Sequence, residues 1–139
     1  MFSFDWERVQ GQTVEAILAR APVVLKNGTT SADGVYLCVA GLTVMLDVNI
    51  DTDELAITLT EGPPPGRLSP LTPLQDLVGR PLGWAWEGRN YRGYEDMFLV
   101  SFSGYPIDDP RQDRTSPLDP DVMFIGCGSN VQMARLRQV

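Results

Sequence analysis

The side chains best suited to chemistry gather in residues 81–102, where aromatic, basic and acidic residues alternate. An arginine beside aromatic rings can hold an anion or a flat ligand, and carboxylates can anchor its polar groups. Structurally, Asn90 and Gly93 would instead set a turn, the rings would fill the core and Asp96 would cap turn amides, and we favour this alternative. The candidate ligand-binding residues are Trp84, Trp86, Arg92, Tyr94 and Asp96.

Histidine is absent from the chain, and the two cysteines, Cys38 and Cys127, stand far apart. Histidine is the commonest general base, and Ser-His-Asp or Cys-His nucleophiles need it. Zinc sites and CxxC motifs need ligand sets that this sequence does not contain. We therefore expect no metal and no cofactor, and a protein that is not an enzyme. The remaining enzymatic alternative is hydrolysis by a carboxylate pair such as Glu87 and Asp96.

Acidic residues are concentrated between Leu46 and Gly62, a segment without a basic residue. The whole chain has 18 Asp and Glu against 11 Lys and Arg, a net charge of −7. An acidic strip can steer a basic protein partner, although a solvated strand face explains the same pattern and is favoured on charge grounds alone. The candidate partner-binding residues are Asp47, Asp51, Asp53 and Glu54, to which an acidic loop from Asp108 to Asp121 would add.

Two motifs in these segments match known sites incompletely. Asp47-x-Asn49-x-Asp51 begins like a calcium loop, but Thr52 and Thr58 stand where that loop needs glycine and glutamate. The glycine-rich stretch 126–130 is better explained as a tight turn than as a phosphate-binding turn, because too few residues follow it for a dinucleotide fold.

The overall composition limits where the protein acts. A net charge of −7 argues against binding nucleic acid, which requires clustered Lys and Arg. No apolar stretch approaches the roughly 20 residues of a membrane span, and the N-terminus lacks a secretory signal. We expect a cytoplasmic protein with one domain, residues 1–139, and no membrane association.

Alternation of apolar and polar residues with a period of two predicts most of the secondary structure. The clearest hairpin joins Leu42–Ile50 to Leu55–Leu59 through an acidic turn. A second hairpin has arms at Leu82–Glu87 and Tyr94–Phe102, and its second arm should be a central strand covered on both sides. Residues 13–21 match both a helix and a strand: the residue types favour a helix, but the stretch is short and ends at Pro22, so both alternatives stay open. Residues 131–136 fit a strand better than a helix.

These elements add up to about seven short strands and one or two short helices. Asp5 would cap one helical turn, and Thr72 would cap a helix over 73–78. The predicted fold class is mainly β (α+β): a single, mostly antiparallel sheet, strongly curled into a barrel or half-barrel.

The second hairpin also carries a family resemblance. Its pattern Gly79-x-x-Leu82-x-Trp84-x-Trp86-x-x-x-Asn90-x-x-Gly93-Tyr94-x-Asp96-x-x-x-Val100-x-Phe102 resembles the signature of small bacterial proteins grouped as a domain of unknown function. The likeness covers this hairpin well and Leu42–Leu59 loosely. It implies a fold and no activity, so no functional residue is carried over.

Three functions remain open. The first is a non-enzymatic protein-interaction domain, for example an immunity-like protein that neutralises a basic toxin through the acidic residues. The alternative is a small-molecule binder, a curled sheet whose mouth is lined by aromatic residues. The second alternative is the histidine-free hydrolase. A homodimer is compatible with the sequence, which identifies neither the partner nor the ligand.

Overall fold

The computed structural model describes residues 2–103 and 119–136. Two short 3₁₀ helices, Trp6–Arg8 and Thr72–Leu77, accompany eleven strands in this part of the chain. The strands are β1 Val14–Arg20, β2 Val23–Val24, β3 Thr30–Ala32, β4 Gly34–Val39, β5 Leu42–Val48, β6 Leu55–Glu61, β7 Ser69–Pro70, β8 Ala85–Gly88, β9 Met97–Val100, β10 Val122–Cys127 and β11 Asn130–Arg135.

The strands form two antiparallel sheets. The first sheet has the order β6-β5-β4-β1-β7, and the second has the order β2-β3-β11-β10-β9-β8. The prediction of a mainly β, antiparallel fold is confirmed, but the strands divide between two sheets where one was expected. Neither sheet is closed, so the half-barrel is not confirmed.

The division into two sheets arises at a corner where two strand pairs change sheet. β1 pairs with β4 in the first sheet, and the strands joined to them, β2 and β3, pair with each other in the second sheet. Ala21 has a φ of 51°, which turns the chain between β1 and β2. Beside it, the Asp33 amide donates to the Arg20 carbonyl at 2.8 Å and holds the corner together.

The inner faces of both sheets share one hydrophobic core. Its aromatic centre is Phe98 on β9, whose ring lies 6.0 Å from Phe124 on β10. The N-terminal segment contributes Phe2 and Trp6, with ring centroids 5.6 and 5.7 Å from that of Phe98. Burying large rings of this kind supplies most of the favourable free energy of a small domain.

The short elements agree with the sequence in most respects. The Asp5 carboxylate caps the first helix by accepting from the Glu7 amide at 3.0 Å. Thr72 is the first residue of the second helix rather than its cap, and the preceding Leu71 makes no side-chain cap. Residues 14–20 form a strand, which decides between the helix and the strand that were both considered for residues 13–21. β11 confirms the strand predicted over residues 131–136. Within the described residues, neither helix has the length or apolar character needed to span a bilayer.

The second hairpin is present with shorter strands than predicted. β9 lies between β8 and β10, as expected for a central strand. Phe98 and Val100 are buried on its inner side, whereas Met97 and Leu99 on the other side are only half-buried. The prediction that β9 is buried on both faces is therefore wrong for its outer face. Most of the predicted acidic loop, residues 104–118, lies outside the described residues.

Candidate functional site

The loop between β8 and β9, residues 89–96, is shaped by an asparagine. The Asn90 side-chain oxygen accepts from the amides of Arg92 (2.9 Å) and Tyr94 (3.2 Å). The Asn90 amide donates to the Tyr94 carbonyl at 3.0 Å, and Gly93 adopts a φ of 86°. Asparagine and glycine therefore set the turn by the mechanism that their types predict. We call residues 89–96 the hairpin tip.

The aromatic side chains of the hairpin tip face solvent, since Tyr91 is 92% exposed and Tyr94 37%. Trp84, at the other end of β8, is 47% exposed. Arg92 lies against Tyr91, with its guanidinium carbon 5.7 Å from the ring centroid and its Nε donating to the hydroxyl at 3.1 Å. The prediction that these rings fill the core is wrong, because Phe2, Trp6 and other rings already occupy it.

Asp96 has a different role from the predicted one. Its Oδ2 accepts from the Asn90 side-chain nitrogen at 3.2 Å, while Asn90 itself caps the turn amides. Oδ1 of Asp96 is buried and makes no hydrogen bond to the described part of the chain. The Asp96 carbonyl accepts from the Gly126 amide at 2.8 Å. Asp96 thus fastens the hairpin tip to β10.

The acidic turn, residues 51–54, connects β5 to β6. Asn49 holds it, since its side chain accepts from the Asp51 amide at 2.9 Å and its carbonyl from the Asp53 amide at 2.8 Å. Asp53 has a φ of 61°, a conformation that aspartate tolerates better than most residues. The described residues contain no group of side chains suited to a metal ion, at this turn or elsewhere.

The acidic turn and the hairpin tip are in contact. The Leu55 amide donates to the Glu95 carbonyl at 2.9 Å, and the Glu95 amide donates to Glu54 Oε2 at 3.1 Å. A cleft of about 220 Å³ lies at the junction. Two groups of residues singled out separately in the sequence therefore form one surface, which we call the tip surface (residues 51–54 and 89–96).

Gly126 explains how the acidic turn approaches the second sheet so closely. A Cβ atom at this position would lie 2.1 Å from the Asp53 carbonyl oxygen, so only glycine leaves room for the turn. The sequence pattern placed Gly126 in a tight turn, but it lies within β10, and the turn to β11 is formed by Gly128 and Ser129. The glycine-rich stretch is thus partly a docking point.

Asp47 and Asp121 do not contribute to the tip surface. Asp47 lies on the outer face of the first sheet, 3.3 Å from the Arg20 guanidinium. Asp121 is fully buried and accepts from the Phe102 amide at 2.7 Å, so it is not available to a partner as expected. Trp86 is on the outer face of the second sheet, with its ring 6.4 Å from that of Trp84.

A polar cluster around Tyr36 on β4 was not anticipated from the sequence. Arg20 donates to both the Tyr36 hydroxyl and the Asp47 carboxylate, and the hydroxyl lies over Gly34, where a Cβ would approach it to 2.6 Å. Burial raises the pKa of Tyr36 and also that of Asp47, while Arg20 opposes both rises. The sequence feature that could have indicated this cluster is Gly34, which stands two residues before Tyr36, because an aromatic ring often covers a glycine in a strand.

The proposed hydrolytic pair and the cysteines show no arrangement for catalysis. Glu87 Oε1 accepts from the Phe2 amide at 3.1 Å, and Asp96 is bonded to Asn90, so each carboxylate holds a structural partner. Cys38 and Cys127 are free thiols. Burial raises the pKa of both thiols, which is opposite to the shift that activates a nucleophilic cysteine.

Comparison with known proteins places the chain in a family. No curated protein and no solved structure matches the chain. A family model described as a family of unknown function does match, and it covers residues 1–139. This agrees with the resemblance noted for the second hairpin. The chain therefore belongs to the family of unknown function DUF6334.

Proposed function

We propose that this protein is a non-enzymatic interaction domain that binds a basic protein through the tip surface. The observation that carries the proposal is the junction of the acidic turn with the hairpin tip, made by the Leu55–Glu95 and Glu95–Glu54 hydrogen bonds. This junction joins the turn that carries the exposed Asp51 to the loop that carries the exposed Tyr91.

The aromatic half of the tip surface has the composition of an interface centre. Tyrosine, tryptophan and arginine are the residues that most often dominate binding energy between proteins. Tyr91 is 92% exposed and lies against Arg92, and Tyr94 in the same loop is 37% exposed. An exposed tyrosine held against an arginine is thus available as an anchor for a partner.

The acidic half of the tip surface favours a basic partner. Asp51 is exposed and Asp53 and Glu54 are half-exposed, next to one another in the turn. The whole chain carries a charge of −7, so its field attracts a cationic surface from a distance and accelerates association. A basic toxin-like protein, neutralised as by an immunity protein, would be one such partner, and a cytoplasmic location would suit it.

The experiment compares partner recovery with matched charge changes. The tagged wild-type chain, a variant with Asp51→Lys and Tyr91→Ala, and a Glu61→Lys control are purified from the native host. Glu61 lies at the opposite end of β6 from the acidic turn, so it matches the charge change away from the tip surface. We expect the wild type and the control to retain the same partner protein in equal amounts. The double variant should retain about tenfold less of it, which is the loss typical of a hot-spot residue.

Two results would contradict the proposal. One is equal recovery with all three chains, and the other is that no protein is retained at stoichiometric yield by the wild type. Because Asp51 and Tyr91 are both exposed, their replacement should leave folding intact, and a circular dichroism spectrum checks this.

A cleft on the outer face of the first sheet supports small-molecule binding as a second candidate. It has a volume of about 350 Å³, within the range of ligand pockets, and includes Leu18, Cys38, Leu42 and Pro63. The residues that line this cleft include none of the aromatic residues predicted to form a binding mouth. The candidate therefore depends on this cleft and not on the predicted aromatic mouth. Metabolite-induced shifts of the Cys38 and Leu42 amides in NMR spectra would test it.

A further inference from the structure

The two sheets have four outer strands, of which two are blunted by proline and a third is partly occupied. β2 and β7 are only two residues long, and proline lies at each: Pro22 directly precedes β2, and Pro70 ends β7. Proline has no amide hydrogen, so it blunts a sheet edge. β6 is longer, and the first half of its edge is occupied, since its Ile57 carbonyl accepts from the Ser3 amide at 3.0 Å and its Leu55 amide donates to the Glu95 carbonyl at 2.9 Å.

The fourth outer strand, β8, is different. It contains no proline, and no strand within residues 2–103 and 119–136 pairs with its outer side. The Ser101 amide donates to the Trp84 carbonyl at 2.9 Å, and bonds in an antiparallel pair alternate along the strand. Trp86 and Gly88 therefore bond toward β9, while Ala85 and Glu87 direct their amide and carbonyl groups outward.

The side chains along β8 differ between its two faces. Trp86 projects to the outer face of the second sheet, near Trp84. Glu87 projects to the inner side, opposite Phe98 in the register. Its Oε1 accepts from the Phe2 amide at 3.1 Å, and the side chain is still exposed at the edge. An added strand would alternate in the same way, so it would place every second residue beside Trp86 and the others beside Glu87.

We propose that β8 accepts an extended segment of the basic partner as an additional strand, with apolar residues against Trp86 and lysine or arginine against Glu87. This inference rests on the proposed function and specifies how the partner is held. Main-chain hydrogen bonds to Ala85 and Glu87 supply affinity, and the alternating side chains supply selectivity.

Charge identifies the occupant. A single glutamate on an edge repels an acidic or identical strand and attracts a basic one. A second copy of this chain would bring another Glu87 to the same edge, and both chains would carry a net charge of −7. A partner segment rich in lysine or arginine instead meets Glu87 at β8, and the loop that follows β8 leads directly into the tip surface.

The test uses a synthetic probe, acetyl-Thr-Lys-Val-Lys-Val-Lys-Thr-amide, titrated into the ¹⁵N-labelled chain. We expect the Ala85 and Glu87 amides to shift and to exchange more slowly with solvent. Two N-methylated versions of the probe, one on the lysine amides and one on the valine amides, each block one strand edge. One of the two should bind about tenfold more weakly or worse, because it loses the edge that faces β8.

Variants separate the edge from the tip surface. Ala85→Pro removes an outward amide and leaves the bonds to β9 intact, so it should weaken probe binding about tenfold. If this variant does not fold, Glu87→Gln should weaken the lysine probe and spare one with glutamine in place of lysine. Equal binding of all N-methylated probes, or no probe binding at millimolar concentration, overturns the inference.

The outcomes also distinguish this inference from the proposed function. If the Asp51→Lys and Tyr91→Ala changes abolish recovery of the partner while Ala85→Pro does not, the tip surface binds and the edge does not. If light scattering shows a dimer that Ala85→Pro dissociates, a second copy occupies β8 and the basic-segment inference is wrong.

Discussion

Two aromatic-rich stretches of this chain, residues 2–6 and 84–94, differ in their burial. Phe2, Phe4 and Trp6 pack onto the core, and Phe2 and Trp6 reach the Phe98 ring on β9. The hairpin stretch, which also carries several aromatic residues and leads into β9 itself, leaves Tyr91 92% exposed. The presence of aromatic residues in a stretch thus does not reveal whether they are buried.

The difference has a physical cause in the second sheet. The side of β8 and β9 that faces the core is taken by Ala85, Phe98 and Val100, and the N-terminal rings fill the remaining space. Trp86 stands on the opposite face because side chains alternate along a strand. The hairpin rings therefore lie outside the core, whose space at β8 and β9 is filled by the N-terminal rings.

Replacing one tryptophan from each stretch gives the largest expected contrast. Trp6→Ala should lower the free energy of unfolding by about 3 kcal/mol, because it removes a ring packed on Phe98. It also removes the indole donor to the Gly83 carbonyl, a bond of 2.8 Å. Trp84→Ala should cost less than about 0.5 kcal/mol, as exposed substitutions do. Urea unfolding followed by circular dichroism measures both.

Equal losses for the two variants would show that the hairpin rings are as structural as the N-terminal ones. A Trp6→Phe variant serves as a control, since it keeps a ring in the core and loses the hydrogen bond. Its stability should lie between that of the wild type and that of Trp6→Ala.

The same contrast shows what the sequence could predict. Alternation identified the strands from Leu42 to Leu59 and the turn residues Asn90 and Gly93, because these depend on neighbours in the chain. The corner at Ala21 and Asp33, which divides the strands between two sheets, depends on long-range pairing of β1 with β4 and of β2 with β3. Periodicity carries no information on such pairing.

The candidate site was also only partly predictable. The residues of the acidic turn and of the hairpin tip were both named from the sequence, but their contact was not. It depends on the Glu95 backbone and on the absence of a side chain at Gly126. A glycine within a strand indicates a close approach of another segment without identifying it.

Gly126→Ala tests that approach, with an intermediate expected effect. The new methyl group would lie 2.1 Å from the Asp53 carbonyl oxygen, so the acidic turn must move. We expect a loss of about 2 kcal/mol in the free energy of unfolding, typical of overpacking. Amide shifts in NMR spectra should concentrate at residues 51–54 and 95–96, because the displaced turn separates from the hairpin tip.

Gly128→Ala is the matched control for this change. Gly128 has a φ of 65°, and a Cβ added there would have no atom within 4 Å, so alanine adds backbone strain of about 1 kcal/mol without a clash. Its amide shifts should stay at the β10–β11 turn. The same pattern of shifts in both variants would show that the acidic turn does not rest on Gly126.

The smallest expected effect is on the pKa of the Cys127 thiol at the end of β10. This pKa depends on the charge of Asp53 in the acidic turn. Burial raises its pKa above the ordinary 9.0, and the carboxylates of Asp53 and Asp96 raise it further by disfavouring the thiolate. In a Cys38→Ser background, the alkylation rate with iodoacetamide should therefore reach half its maximum above pH 9.0. Asp53→Asn removes one negative charge and should lower that midpoint, although burial keeps it above 9.0. Glu61→Gln, at the far end of β6, should leave the midpoint of the alkylation rate unchanged. An equal shift of the midpoint in both variants would show that the acidic turn does not lie close to Cys127 on β10.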